Sequence, residues 1–359
     1  LGFENEFLKV CFDRLTGGII QLVDKKSGLD LADRDNPMGV LEYILERPGA
    51  MSAWVIQDPK ARICPLELDA LKVVRFNPYA ATVQAEAKLN QSEITITYTL
   101  KTGRPWLEIS VDAFWLERGK HDIGIPTLRM QFPTCLTKAS GRYEIPFGSI
   151  KRSLNKGEEV PGLRWADVSG NMTGLKEKGG LLLLNDCKYG HSLSGSTLRL
   201  TLIRSSYLPD PLPELGKHTM RMALVPHGSE MNVGDMVRLG AAFNSPLQII
   251  YTDNHPGSLP PHAGSLISIK PGNVLISCIK KAENENTVII RLHETDGKSV
   301  RARVEVNQSF FGLLAGAEEV DLLERPSQKN TAGVVKGNAF SVDVPAYAIV
   351  TVKLSLENY

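Results

Sequence analysis

Strict alternation of apolar and polar residues is the feature that most constrains this chain. Ile94, Ile96, Tyr98 and Leu100 alternate with Thr95, Thr97 and Thr99, and Leu8, Val10 and Phe12 repeat the pattern near the start. Leu107, Ile109 and Val111 do the same, as do Leu198, Leu200 and Leu202. Val288, Ile290 and Leu292, then Val304 with Val306 and Val350 with Val352, carry it to the end. A period of two sends successive side chains to opposite faces of a strand, so such runs predict half-buried β-strands. Between them, turn residues punctuate the chain at Thr16-Gly17-Gly18, Asn36-Pro37, Asn77-Pro78 and Thr102-Gly103. No amphipathic helix of three turns or more is expected. The fold class is all-β, built from stacked antiparallel sheets.

With 359 residues the chain is long enough for two domains. The run Asp253-Asn254-His255-Pro256-Gly257 into Pro260-Pro261-His262 cannot continue a central strand. It divides a large β domain, 1–260, from a small β-sandwich, 261–359. A 42% hydrophobic fraction supplies a real core, and 41 Lys and Arg against 40 Asp and Glu leave a net charge of +1. Nucleic acid and anionic membrane surfaces need clustered Lys and Arg, so neither is an expected partner. Leu181–Leu184 is the longest aliphatic stretch and is far too short to span a bilayer. The first residue is Leu1, which suggests a processed or excised piece. Five cysteines, with no Cys-x-x-Cys pair, read as buried free thiols.

Self-sufficient catalytic signatures are lacking: no Gly-x-Ser-x-Gly, no phosphate-binding loop, no His-Glu-x-x-His. His293-Glu294-Thr295-Asp296 is rich in possible metal ligands, but Asp296-Gly297 between apolar runs predicts a hairpin turn there. The block from Tyr143 to His227 is different, because strand-like stretches end there in Asn, Asp, Lys, Tyr, Arg and His. Polar groups at strand ends, with aromatic faces nearby, suit a sugar-binding rim, since carboxylates and amides pair with hydroxyls. The same residues also suit plain turns, with Asn185-Asp186 as an Asx turn and Arg164 paired to Asp167 or Asp186. Both readings stand from chemistry alone. Trp165 reads as core rather than as a sugar platform, and Trp54, Trp106 and Trp115 as core within strand-like segments.

The ordered words of this block resemble the C-terminal β region of glycoside hydrolase family 38, the α-mannosidases, in its cytosolic and bacterial branch. They run through Tyr143-Glu144-Ile145-Pro146-Phe147-Gly148, Leu163-Arg164-Trp165-Ala166-Asp167, Asn185-Asp186-Cys187-Lys188-Tyr189-Gly190 and Leu224-Val225-Pro226-His227. Phe3-Glu4-Asn5-Glu6-Phe7 at the start and Val320-Asp321-Leu322-Leu323-Glu324 near the end are similar too, so the likeness spans nearly the whole chain. The resemblance implies a super-sandwich like that of galactose mutarotases, followed by a small β-sandwich. It implies a cytoplasmic, homo-oligomeric enzyme that hydrolyses terminal α-linked mannose from mannose-containing oligosaccharides, with retention. Retention needs two carboxyl groups about 5 Å apart. In the family the nucleophile and a divalent metal, zinc in most members, belong to an N-terminal catalytic domain, so no cofactor, nucleophile or metal ligand is expected in this chain. By itself it is expected to be inactive, as part of a pocket wall.

For that wall the resemblance points to Asp186 and Tyr189, then Arg204 and Asp210, with His218 as a fifth. Asp186 and Asp210 would accept from sugar hydroxyls, Tyr189 would cover a ring face, and Arg204 would orient a carboxylate. Two other readings stay open. One is a non-catalytic carbohydrate-binding, scaffolding or oligomerisation module. The other is a mutarotase using His191 or His218 with Glu144 or Glu159 as acid and base.

Overall fold

A computed structural model describes residues 1–152, 158–257, 264–333 and 337–357. The chain is almost entirely β, and the alternating runs are strands. Ser92–Lys101 buries Ile94, Ile96, Tyr98 and Leu100, and Leu8–Phe12 buries Leu8, Val10 and Phe12. Two compact units emerge. One comprises Leu1–Ile145, Ile150–Met231 and Leu239–Ser245; the other comprises Pro146–Ser149, Asn232–Arg238 and Pro246–Tyr359. Residue 260, where the sequence suggests a division, lies outside the described residues.

The first unit holds three antiparallel sheets. A nine-stranded sheet has Trp165–Met172, Lys178–Asn185, Gly216–Gly228, Leu107–Trp115 and Ser92–Lys101 as consecutive central strands. A six-stranded sheet runs Glu159–Pro161, Gly190–Ser194, Thr197–Arg204, Ile125–Pro133, Val40–Glu46 and Pro59–Ile63. A four-stranded sheet is built from the first 30 residues. The sheets share one core: Val111, Leu183 and Met222 come from the nine-stranded sheet, Leu41, Met130 and Leu200 from the six-stranded, and Val10 and Leu22 from the four-stranded. Each fully buried aliphatic side chain of this kind contributes about 1.5–3 kcal/mol. Two of the buried aromatics have their polar ends satisfied. Tyr98 donates to the Gly39 carbonyl at 2.9 Å and Trp115 Nε1 to Ser205 Oγ at 2.7 Å. Gly39 has φ 75°, and a Cβ there would come within 3.1 Å of the Tyr98 hydroxyl, so both conformation and space call for glycine.

The second unit is a sandwich of two sheets. Ile267–Lys270, Val300–Val306 and Ala339–Val344 make one; Val274–Lys281, Val288–Glu294, Ile349–Glu357 and Leu313–Val320 make the other. Their inner faces bury Val304, Val342, Ile290 and Val352 together.

Three expectations need correction. A helix of 12 residues exists, Val233–Asn244. Asn232 caps it by accepting from Asp235 N at 2.9 Å, while Asp235 Oδ2 accepts from Asn232 N at 3.5 Å. Its glycines, Gly234 and Gly240, weaken the helical signature in sequence. Gly240 is needed because a Cβ there would lie 3.0 Å from Trp165. Asp296-Gly297 does form a turn, but not a hairpin: Val288–Glu294 and Val300–Val306 belong to different sheets, so the turn arches between them. Glu294 staples this arch by accepting from the Asp296, Gly297, Lys298 and Tyr347 amides and from Asn273. Finally, the five cysteines are free but none is fully buried: Cys64 and Cys187 are exposed, and Cys11, Cys135 and Cys278 are partly buried.

Candidate functional site

The outer face of the six-stranded sheet is where polar chemistry gathers. Along Val40–Glu46, Leu41 joins the core while Glu42, Ile44 and Glu46 face outward. Register sets Glu42 against Arg129 and Ile44 against Thr127 on the neighbouring strand. On the far side Arg129 pairs with Thr201, Gln131 with Arg199, and Arg199 in turn with Ser192. A bulge between Leu128 and Arg129 leaves Leu202 as an extra residue on the opposing strand. Both Leu202 and Ile203 therefore enter the core, and Arg204 comes out opposite Thr127 on the polar face.

Over this floor lies a cleft of about 590 Å³, lined by Glu46, Arg129, Glu159, Ser192, Arg199 and, on one wall, Trp54 to Pro59. That size falls within the roughly 300–1,000 Å³ of small-molecule sites. Trp54 is 65% exposed, which corrects its assignment to the core. Trp165, Trp106 and Trp115 are buried as expected.

One end of the floor is closed. Glu46, 1% exposed, takes the fork of Arg204 through Nε at 2.9 Å and a terminal nitrogen at 2.8 Å, plus Thr127 Oγ1 at 2.8 Å and Gln57 N at 3.0 Å. Arg204 spends further donors on the carbonyls of Ser52 at 2.6 Å and Val55 at 3.0 Å. Arg204 thus orients a carboxylate, that of Glu46. The middle of the floor is open. Glu42, also 1% exposed, has Arg62 at 3.1 Å and Arg199 at 3.8 Å, yet neither of its oxygens accepts a hydrogen bond among the described residues. Arg129 stands 3.8 Å from Glu159, and Nε of both Arg129 and Arg199 is buried without a hydrogen-bond acceptor. Burial lowers the Arg199 pKa from its ordinary value, with Glu42 opposing and Arg62 and Arg129 adding to the fall.

The five rim residues come from two sheets and the loops that follow their strands. Asp186 follows the strand Lys178–Asn185 and is held by Arg221, from N at 3.0 Å and from Nε at 3.1 Å. Asn185 closes the expected Asx turn by accepting from Lys188 N at 2.9 Å, and Tyr189 is half exposed just beyond it. His218, on Gly216–Gly228, donates to the Glu214 carbonyl at 2.7 Å. Arg204 belongs to the other sheet, and Asp210, on the loop after it, accepts from Leu212 N at 2.9 Å. Among the described residues no hydrogen bond or ion pair joins any two of the five.

Arg164 pairs with Glu144, through N at 2.7 Å and Nε at 3.1 Å, rather than with Asp167 or Asp186. Asp167 instead meets His227 Nε2 at 2.9 Å, while His227 Nδ1 donates to the Gly228 carbonyl at 2.7 Å. Burial opposes the charged ring, but Asp167 outweighs it and the His227 pKa is raised. His191 is fully buried with no hydrogen-bond partner on either ring nitrogen among the described residues, and burial pushes its pKa down to about 4. No three His, Cys, Asp or Glu side chains among the described residues converge as a metal cradle. The divalent ion implied by the resemblance has no fit there. Among the described residues no helix is long and apolar enough to cross a membrane.

Sequence reasoning missed Glu42, Glu46, Thr127 and Arg129. Their signal was present as polar residues at even spacing in otherwise apolar strands, but it says only that they face away from the core.

Known proteins align with this architecture. The glycosyl hydrolases family 38 C-terminal domain matches residues 3–212, and the family's C-terminal beta sandwich domain matches 273–352. Alpha-mannosidase 2C1 of Homo sapiens is 29% identical over 246 residues, 66% of this chain and 22% of that protein. The alpha-mannosidase of Saccharomyces cerevisiae is 26% identical over 373 residues, 91% of this chain and 32% of that protein. The chain thus spans about a fifth to a third of these curated relatives. The crystal structure of an alpha-mannosidase from Enterococcus faecalis V583 shares the fold, with a TM-score of 0.77 at 14% identity over 99% of this chain and 42% of that one.

Proposed function

The chain belongs to glycosyl hydrolase family 38 as its C-terminal β region, and on that premise we propose that it is the β portion of a retaining α-mannosidase. The observation that carries this reading is the match of both C-terminal domains of the family, in order, to this one chain. In this role it supports a catalytic portion elsewhere in the polypeptide, which supplies the nucleophile, the acid/base and a divalent metal. The β region completes the wall of the pocket, and alone it does not cleave.

Retention by a double displacement requires two carboxyl groups at about 5 Å in a site that holds the sugar. The saturated carboxylates here, Glu46, Glu144, Asp186 and Glu294, are committed to Arg204, Arg164, Arg221 and a backbone turn. They hold shape instead of attacking an anomeric carbon. The test uses p-nitrophenyl α-D-mannopyranoside with the full-length polypeptide and with this chain. Hydrolysis by the former, with the α-anomer formed first by proton NMR, and none by the latter is the expected result. An inverted product, or turnover by this chain alone, would refute it.

A further inference from the structure

The cleft over the six-stranded sheet carries charges of both signs. Glu46, Asp58, Glu158 and Glu159 line it together with Arg62, Arg129 and Arg199. A ligand with net charge of either sign would meet repulsion as well as attraction on such a surface. A neutral ligand with many hydroxyls meets no such conflict, because each hydroxyl both donates and accepts. Hydroxyl hydrogens suit the Glu159 carboxylate, and hydroxyl oxygens suit the guanidinium groups of Arg129 and Arg199, whose Nε atoms have no hydrogen-bond acceptor among the described residues. Leaving such atoms unpaired is costly, so a ligand that completes them gains affinity. Ser192 and Ser194 add hydroxyls along one side. Trp54 stands exposed on the wall, with a flat apolar face of the kind that covers the C–H side of a pyranose.

We propose that this cleft binds a neutral saccharide directly, with Trp54 as the platform and Arg129, Arg199 and Glu159 as the hydrogen-bonding bed. The chemical class comes from the cleft itself; the choice of mannose as first probe rests on the α-mannosidase reading.

Trp54 is also the reporter, because the other three tryptophans are buried and acrylamide reaches Trp54 first. Titrating this chain with methyl α-D-mannopyranoside and with an α-linked mannobiose should show millimolar binding by calorimetry and protection of Trp54 from quenching. Trp54→Ala and Arg129→Met should each weaken binding by at least about tenfold, a loss of about 1.4 kcal/mol. Lys88→Ala, an exposed change on the nine-stranded sheet away from the cleft, should leave it unaltered. Circular dichroism melts of each variant separate lost binding from lost folding. Silence up to roughly 50 mM sugar would overturn the proposal, since binding that weak has no use for a built site. So would binding that survives both cleft variants, or a tenfold preference for glucuronate or glucosamine over the neutral sugar. Silence here with mannoside hydrolysis by the full-length polypeptide faults the cleft alone. Binding here without any hydrolysis faults the α-mannosidase reading alone.

Discussion

Two glutamates on one strand end up in opposite conditions. Glu46 and Glu42 lie four residues apart on the same face of Val40–Glu46, and both are buried. Glu46 receives four hydrogen bonds, two of them from the fork of Arg204, whereas Glu42 is flanked by arginines and receives none among the described residues. The difference lies in the loop after the strand. Ser52, Val55 and Gln57 fold back over Arg204 and Glu46 and supply backbone groups. Glu42 has only side chains of the open floor around it. The first ion pair holds the loop to the sheet; the second leaves Glu42 with charged neighbours but no directed bond. His227 and His191, both buried, repeat the contrast, with His227 bonded on both nitrogens and His191 on neither among the described residues.

The comparison can be broken first at its closed end. Glu46→Ala leaves Arg204 buried without its carboxylate, a change that costs about 3–5 kcal/mol when one partner of a buried pair is removed. Urea unfolding should show that loss, and a shift under about 1 kcal/mol would mean the pair is not structural. Next comes acid. The unfolded chain protonates His191 near its ordinary 6.5, while the folded chain resists until about 4. The unfolded state therefore binds more protons in that window, and stability falls as pH drops through it, by on the order of 3 kcal/mol. His191→Leu should flatten this acid limb; an unchanged limb would show that the ring reaches water or a partner.

His227 works with the opposite sign. Its raised pKa gives stability that is fully present below the ordinary value and lost as pH climbs through the folded one. Asp167→Asn should abolish that alkaline loss. The smallest effects belong to the open end. Glu42→Gln should move the urea midpoint by less than about 1 kcal/mol, because no hydrogen bond is broken. Trp54→Ala should stay within about 0.5 kcal/mol, as exposed substitutions do. A large loss from either would place it in the structural framework instead.

Much of the fold was legible because burial of one face writes period two into the sequence. Ser92–Lys101 and Thr197–Arg204 were readable from their leucines and isoleucines. The helix Val233–Asn244 was not, since Gly234 and Gly240 serve close packing and blur the helical signal. Arg204 was singled out from resemblance, and its place beside Glu46 depends on a bulge that no alternation predicts. Asp186 and Tyr189 were equally visible as words, but Arg221 and an Asx turn engage their neighbourhood. Trp54 looked like core because tryptophans in apolar surroundings usually are. Its exposure follows from a turn after Met51, which only the folded loop reveals.

By itself, then, the sequence determined that this protein is a β protein of family 38, with cores whose strands could be read from alternating side chains. Those properties follow from local periodicity and from ordered motifs, both of which are linear. Tertiary structure alone decided which outward-facing charges are sealed and which stay open. That depends on register between strands distant in sequence, on one extra residue at Leu202, and on a loop folding back over one end of a strand. Hydrogen bonds need direction as well as proximity, and direction is fixed only when the sheets have come together.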